Sequence, residues 1–288
     1  MAKSEKVGVL TDSTASIPSP MAEDLGIEVV PYYVHRGLDT LRDGVDITTE
    51  ELARYLETAT TLPTTSNPSP GDYLVGLRRL AERTREIVAL TMTSKGSGGF
   101  QSCKAAVDIL REQLPRVQVA VVDTLQVAMA QGWAAIEAAR AALAGLSLKD
   151  VVARVVEVAQ KGMMLQTADT LRYLYMGGRI GRAKHLVGSL LNIRPLIGMQ
   201  EGTIVALGTA RSRLKAYAGM VELMSQRVGE GAAVKVAFTH VAALEGVRRL
   251  QEMVLPRFEC VEVLTTELSP ALAVHSGPGT VGMCFFPV

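Results

Sequence analysis

Histidine, cysteine and tryptophan are scarce in this 288-residue chain, at four, three and one copies. Cys103, Cys260 and Cys284 are odd in number, lie far apart and form no C-x-x-C pair, which argues against a disulfide framework or a zinc site. Cys103 and Cys284 read as buried thiols. Thirty basic residues against 29 acidic ones leave a net charge of +1 without a long run of either sign, so no electrostatic footprint marks nucleic acid or a membrane surface as a partner. No uninterrupted apolar stretch is long enough to span a bilayer. Met1 to Lys6 run straight into a strand-like segment and lack the apolar stretch of a signal peptide. The expectation is a soluble, cytoplasmic protein without stable membrane insertion.

What is present is a globular composition, 48% hydrophobic, in a chain long enough for two domains. Val7 to Thr11, Ile87 to Thr91 and Val117 to Val122 are short β-branched runs of the kind that form strands buried on both faces. Between the last two, Cys103, Ala106, Val107, Leu110 and Leu114 recur on one helical face until Pro115. Strand, helix, strand implies a parallel sheet, with ligands gathering at the carboxyl ends of its strands. Asp12-Ser13-Thr14, Thr93 to Gly99 and Asp123-Thr124 are therefore expected to converge on one crevice. An alanine-rich helical stretch, Ala128 to Ala159, precedes a second set of strands beginning at Gly162 to Thr167. Further strands are expected at 194–199, 203–207, 234–238, 261–265 and 281–286, with helices at 211–228 and 244–254. Glu201-Gly202 signals a hairpin, so the second sheet is expected to be mixed or antiparallel. The predicted fold is α/β in two domains. An N-terminal parallel-sheet domain spans 1–160, a C-terminal mixed-sheet domain spans 161–288, and the ligand lies between them.

Serine, threonine and glycine crowd the ends of these runs. Such segments offer hydroxyls and backbone N–H groups but little acid–base or metal-binding apparatus, so they suit holding a carboxylate or phosphate. Thr64 to Pro70 also fits an ordinary helix entrance, and Lys95-Gly96-Ser97-Gly98-Gly99 fits either capping or an anion approaching a helix start. The latter is neither a Walker A loop nor a G-x-S-x-G elbow. Arg179 follows the Gly177-Gly178 break, where a guanidinium is either solvated or paired with an anion. His275 precedes Ser276-Gly277-Pro278-Gly279, a turn able to form an anion nest. His35, His185 and His240 read as structural. Asp12 reads as an anchor of the turn after the first strand, sharing that task with Ser13.

In this order, these stretches resemble the DegV family of bacterial fatty-acid-binding proteins, which includes the fatty acid kinase B subunits. The resemblance rests on Thr11 to Thr14, Arg42-Asp43-Gly44-Val45-Asp46-Ile47, Thr65 to Ser69, Ser97-Gly98 with Gln101-Ser102, Gly177 to Ile180, and His275 to Gly279. It implies a two-domain α/β fold holding a long-chain fatty acid, with the carboxylate at Thr65, Ser97 and Gly98 and with His275 close by. Ser66 and Ser276 join Asp12 and Ser13 as turn anchors near that site. It further implies presentation of the carboxylate to a separate ATP-dependent fatty acid kinase subunit for phospholipid synthesis, with Arg179 and Arg211 serving that encounter. No catalytic residue, metal or cofactor is implied. The chain departs from the family at Gly96 to Phe100, where Leu-Ser-Gly-Thr-Tyr is usual, so one hydroxyl is missing and a looser wall is expected. Asn67 replaces a common glutamine, which touches chain-length selectivity. Met176 replaces a lysine, which weakens a kinase contact, and Gly181 replaces a serine.

Two enzymatic alternatives remain. A free-standing phosphotransferase or small-molecule kinase would need a nucleotide site, and no motif supplies one. A hydrolase would use Ser97, His275 and Asp12 as a triad.

Overall fold

The computed structural model describes residues 6–184 and 193–288; His185 lies outside them. The chain begins β1 (Gly8–Asp12), a 3-10 turn (Ser13–Ala15), α1 (Ser19–Asp24) and β2 (Ile27–Val30). Next come β3 (Tyr33–Arg36), β4 (Asp39–Arg42), α2 (Thr49–Thr58), β5 (Thr64–Ser66) and α3 (Pro70–Ala81). β6 (Glu86–Thr91), α4 (Gly99–Gln113) and β7 (Gln118–Asp123) lead to the helices α5 (Met129–Leu143) and α6 (Leu148–Lys161). β8 (Met163–Thr167), α7 (Arg172–Met176), β9 (Arg194–Gln200), β10 (Thr203–Ala210) and α8 (Arg213–Val228) follow. The chain closes with β11 (Ala233–His240), α9 (Leu244–Val254), β12 (Glu259–Glu267), α10 (Pro270–Ser276) and β13 (Val281–Pro287).

One sheet, ordered β2-β1-β6-β7, is wholly parallel. A second, β10-β9-β8-β13-β11-β12, is antiparallel except for the β11/β12 pair, and is therefore mixed. A small antiparallel sheet, β4-β3-β5, carries Thr64 to Ser66. The β9/β10 hairpin turns at Glu201 and Gly202, both at positive φ (48° and 74°), as a tight two-residue turn requires.

Strand alternation explains the layers. Leu10, Ile87 and Ala89 pack with Leu77, Cys103 and Leu110 of α3 and α4, while Val9, Val88 and Leu90 face α5 and α6. The opposite side of α5 and α6 meets Met164, Ala237, Cys284 and Phe286 of the mixed sheet. The far face of that sheet, including Leu165 and Phe238, is covered by α8 and α9. α5 is thus sandwiched between two sheets, and its apolar residues bury all round instead of along one stripe. Trp133 of α5 packs edge-on against Phe286 and donates its Nε1–H to the Cys284 carbonyl at 3.1 Å. Cys103 and Cys284 are buried, and burial pushes both thiols up to about 12.

The alanine-rich helical run forms two helices. Gly145, at φ 86°, ends α5, and Ser147 caps α6 by accepting from the Asp150 N–H. At the edge of this middle layer Glu137 receives Arg140, Arg154 and Lys235, and Glu262 also pairs with Arg140 and Lys235. Paired this way, Glu137 is held down at about 2 despite its burial. Among the described residues no helix is long and apolar enough to cross a membrane.

Candidate functional site

A cavity of about 450 Å³ opens between the carboxyl end of the parallel sheet and the wall formed by β8, β9, β10 and α10. Its size falls in the ordinary range for small-molecule sites, roughly 300–1,000 Å³. Thr65, Ser66, Asn67, Ser97, Gly98 and His275 gather at one part of the lining, with Arg179 beside them. Met92, Val127, Met164, Ile197, Met199 and Leu272 make much of the remainder apolar.

β5 holds Thr65 in register with Val34, which aims it across the gap to α10. There Thr65 Oγ1 lies 2.8 Å from His275 Nε2. His275 Nδ1 is buried without a partner and packs against Gly177, where an added Cβ would fall only 2.2 Å away. A proton on Nδ1 would be an unpaired buried donor, so the favoured tautomer carries it on Nε2 and donates to Thr65 Oγ1. In that tautomer the Thr65 hydroxyl proton is left free for an acceptor in the cavity. Burial first, and the Arg179 charge second, hold His275 down at about 4, so the ring is neutral at pH 7.

Ser97 Oγ sits 2.7 Å from Tyr32 Oη and accepts the Gly99 N–H at 3.2 Å. Gly98 is the N-cap of α4 and supplies no side chain, so the cap on the first turn of this 15-residue helix comes from Ser97, whose Oγ takes the Gly99 N–H. A Cβ on Gly99 would lie 2.7 Å from Tyr32 Oη, so the tyrosine occupies the space that a threonine would need. The expected loose wall is therefore filled by a hydroxyl from a different segment. Asn67 is fixed by donating to Ser102 Oγ at 3.0 Å and to the Pro68 carbonyl at 2.8 Å. Ser69, not Thr65, makes the helix entrance, in a capping box with Asp72 and with Pro70 at the first turn of α3.

Two of the three expected turns reach the cavity. Thr14 and the Thr93 to Gly98 loop line it, whereas Asp123 stands behind and accepts the Ser94 N–H. Asp12 lies beneath the floor, fully buried, accepting the N–H groups of Thr14 and Met92 and the amide of Gln131, each at 3.1 Å. Ser13 accepts the Tyr32 N–H and donates to Asp43 at 2.7 Å, which holds the Tyr32 segment against the first turn. Burial raises Asp43 to about 6 even though the Ser13 bond opposes the shift. Ser66 bonds His35 Nε2 at 2.9 Å, and Ser276 is buried in α10, its carbonyl accepting from Thr280.

His275 thus belongs to the last turn of α10 and not to a free loop. No triad forms: His275 bonds Thr65, Ser97 bonds Tyr32, and Asp12 is engaged elsewhere. Arg179 is exposed and donates to the Gly177 carbonyl at 2.7 Å, while Arg211 is exposed outside the lining. His240 accepts the Ala243 N–H, and burial lowers its pKa. Among the described residues no group of three or more His, Cys, Asp or Glu side chains could hold a metal. Tyr32 and Gln166 are lining residues that no motif announced.

These features define an α/β protein in which a parallel and a mixed sheet wall a cavity that is polar in one part and apolar in the rest. The chain belongs to the DegV family, whose profile, described as an uncharacterised protein family, matches residues 6–288. It is 36% identical over 282 residues to a DegV domain-containing protein of Streptomyces coelicolor, covering 97% of this chain and 98% of that one. Among solved structures it resembles a fatty-acid-binding DegV family protein from Thermus thermophilus, with a TM-score of 0.92 and 30% identity, covering 98% and 100% of the two chains. DegV, a fatty acid binding protein from Bacillus subtilis, superposes with a TM-score of 0.87 at 26% identity, covering 99% and 100%.

Proposed function

We propose that this protein holds a long-chain fatty acid in the cavity and presents its carboxylate to a separate ATP-dependent kinase subunit, which makes the acyl phosphate used in phospholipid synthesis. The division into domains at residue 160, with the acyl chain covered by the second, belongs to the same proposal. The observation that carries it is the pairing of a hydroxyl station, Thr65 and Ser97 beside the start of α4, with an apolar remainder of the same cavity. A tail of about fourteen methylenes gains roughly 0.8 kcal/mol per buried CH₂, on the order of 11 kcal/mol before ordering costs. Burying the carboxylate unpaired would cost several kcal/mol, which the two hydroxyls and the N–H groups offset. The neutral His275 orients Thr65 and brings no counter-charge. Arg179, exposed beside the polar part, is suited to meet the kinase and its transferring phosphoryl group, with Arg211 as a second contact. Fatty-acid-binding relatives of the same fold support the carrier role.

The test combines retention and transfer. Thr65→Ala and Ser97→Ala should each weaken fatty-acid retention while the protein stays folded. Arg179→Ala and Arg211→Ala should retain fatty acid yet slow acyl phosphate formation by an added kinase subunit. Unchanged lipid content in the Thr65→Ala/Ser97→Ala double variant would sink the carboxylate assignment. Calorimetric binding of ATP by the isolated chain would favour the phosphotransferase alternative.

A further inference from the structure

Resting on the carrier reading, we infer that Gln166 selects a fatty acid bearing a hydroxyl group part-way along its chain. Gln166 lies on β8, where alternation sends Leu165 into the cluster beneath α8, and Met164 and Gln166 to the cavity side. It is only 6% exposed, and its cross-strand partner on β9 is Ile197, also in the lining. Its carboxamide makes no hydrogen bond to the described residues, whereas several polar groups around it are engaged. Thr14 is bonded to Asp12, Thr93 to the Gly202 carbonyl, Asn67 to Ser102 and Ser97 to Tyr32.

An amide offers two donors and an acceptor, and a hydroxyl uses both kinds while a ketone uses only one. A plain alkyl tail lying against the amide removes it from water and leaves it unpaired, which weakens binding; against a correctly placed hydroxyl it is satisfied. A site built to hydrogen-bond a hydroxyl discriminates against the analogue lacking it. The charged lining residues, Lys95 and Arg179, accompany the polar loops and not the β8 wall.

The experiment titrates the delipidated full-length protein with octadecanoic acid and with a positional series of hydroxyoctadecanoic acids. One mid-chain position should bind about tenfold more tightly than octadecanoic acid, the scale of one net hydrogen bond. Gln166→Leu should abolish that preference and tighten octadecanoic acid; Gln166→Met, closer in shape, serves if the leucine variant does not fold. Equal affinity across the series, or a preference that survives substitution, would overturn the inference while leaving the carrier reading intact. Failure to bind any of these acids would overturn both.

Discussion

Replacing Gly177 with alanine should disable the carboxylate site without touching a residue that meets ligand. The new Cβ would lie 2.2 Å from His275 Nδ1, 2.8 Å from its Cε1 and 3.0 Å from the Tyr173 carbonyl oxygen. Ordinary contact needs about 3.5 Å, so the ring must retreat by more than about 1 Å from its 2.2 Å position. A 2.8 Å bond to Thr65 does not survive that displacement. Overpacking of this kind costs about 1–3 kcal/mol, and at roughly 2–4 °C per kcal/mol the melting temperature should fall by several degrees. With Thr65 no longer oriented, one hydrogen bond to a charged group weakens, worth about 1.5–3 kcal/mol, or roughly 10- to 100-fold in affinity. Thermal unfolding and calorimetric titration with octadecanoic acid measure the two effects. If the effect runs through the ring, Gly177→Ala added to His275→Ala should cost no further affinity, because the clash has gone. Parental affinity in a folded Gly177→Ala protein would refute the reasoning, as would full additivity in the double variant.

Acid should destabilise the protein through His275: the unfolded state takes up a proton below the ordinary pKa of 6.5, whereas the native ring stays neutral down to about 4. Stability from this group is full above pH 6.5 and declines towards pH 4 by on the order of 3 kcal/mol. Urea unfolding of the ligand-free parent and His275→Asn at pH 7 and pH 5 should show a shallower loss in the variant. Asp43, held up at about 6 by burial, acts with the opposite sign, its penalty present above pH 6 and lost towards pH 3.8. Asp43→Asn should therefore remove a destabilisation that grows as pH rises from 4 to 6, read from the same unfolding curves. Glu137→Gln should cost about 1.5–3 kcal/mol, because Arg140, Arg154 and Lys235 lose a charged acceptor but keep Glu262 or Glu157, and the unfolding midpoint reports it.

Much of the fold was legible because its strands obey simple patterns. β1, β6 and β7 are β-branched runs ending in polar turns, and Glu201-Gly202 announced the β9/β10 hairpin. Other elements carry weak local signals. β3, β4 and β5 are three or four residues each, rich in polar side chains, so they resemble loops until paired. α10 has only seven residues, too short for periodicity, although Ser269 and Pro270 mark its start; His275 therefore read as part of a turn. The motif residues Thr65, Ser97 and Gly98 do meet in one cavity, as the order of the motifs implied. Tyr32 could not be found that way, since its role depends on Ser97, 65 residues away in sequence. Gln166 sits in a strand-forming run where an amide looks like any half-buried polar residue. Asp123 failed to reach the cavity because its carboxylate turns back to cap the Ser94 and Leu125 N–H groups.

Mass spectrometry of the protein purified without added lipid tests the central claim most directly. Native and denaturing spectra should differ by the mass of a fatty acid, near one per chain and extractable into organic solvent, and the difference should vanish in the Thr65→Ala/Ser97→Ala variant. A protein that emerges empty and also refuses added fatty acid would contradict the account.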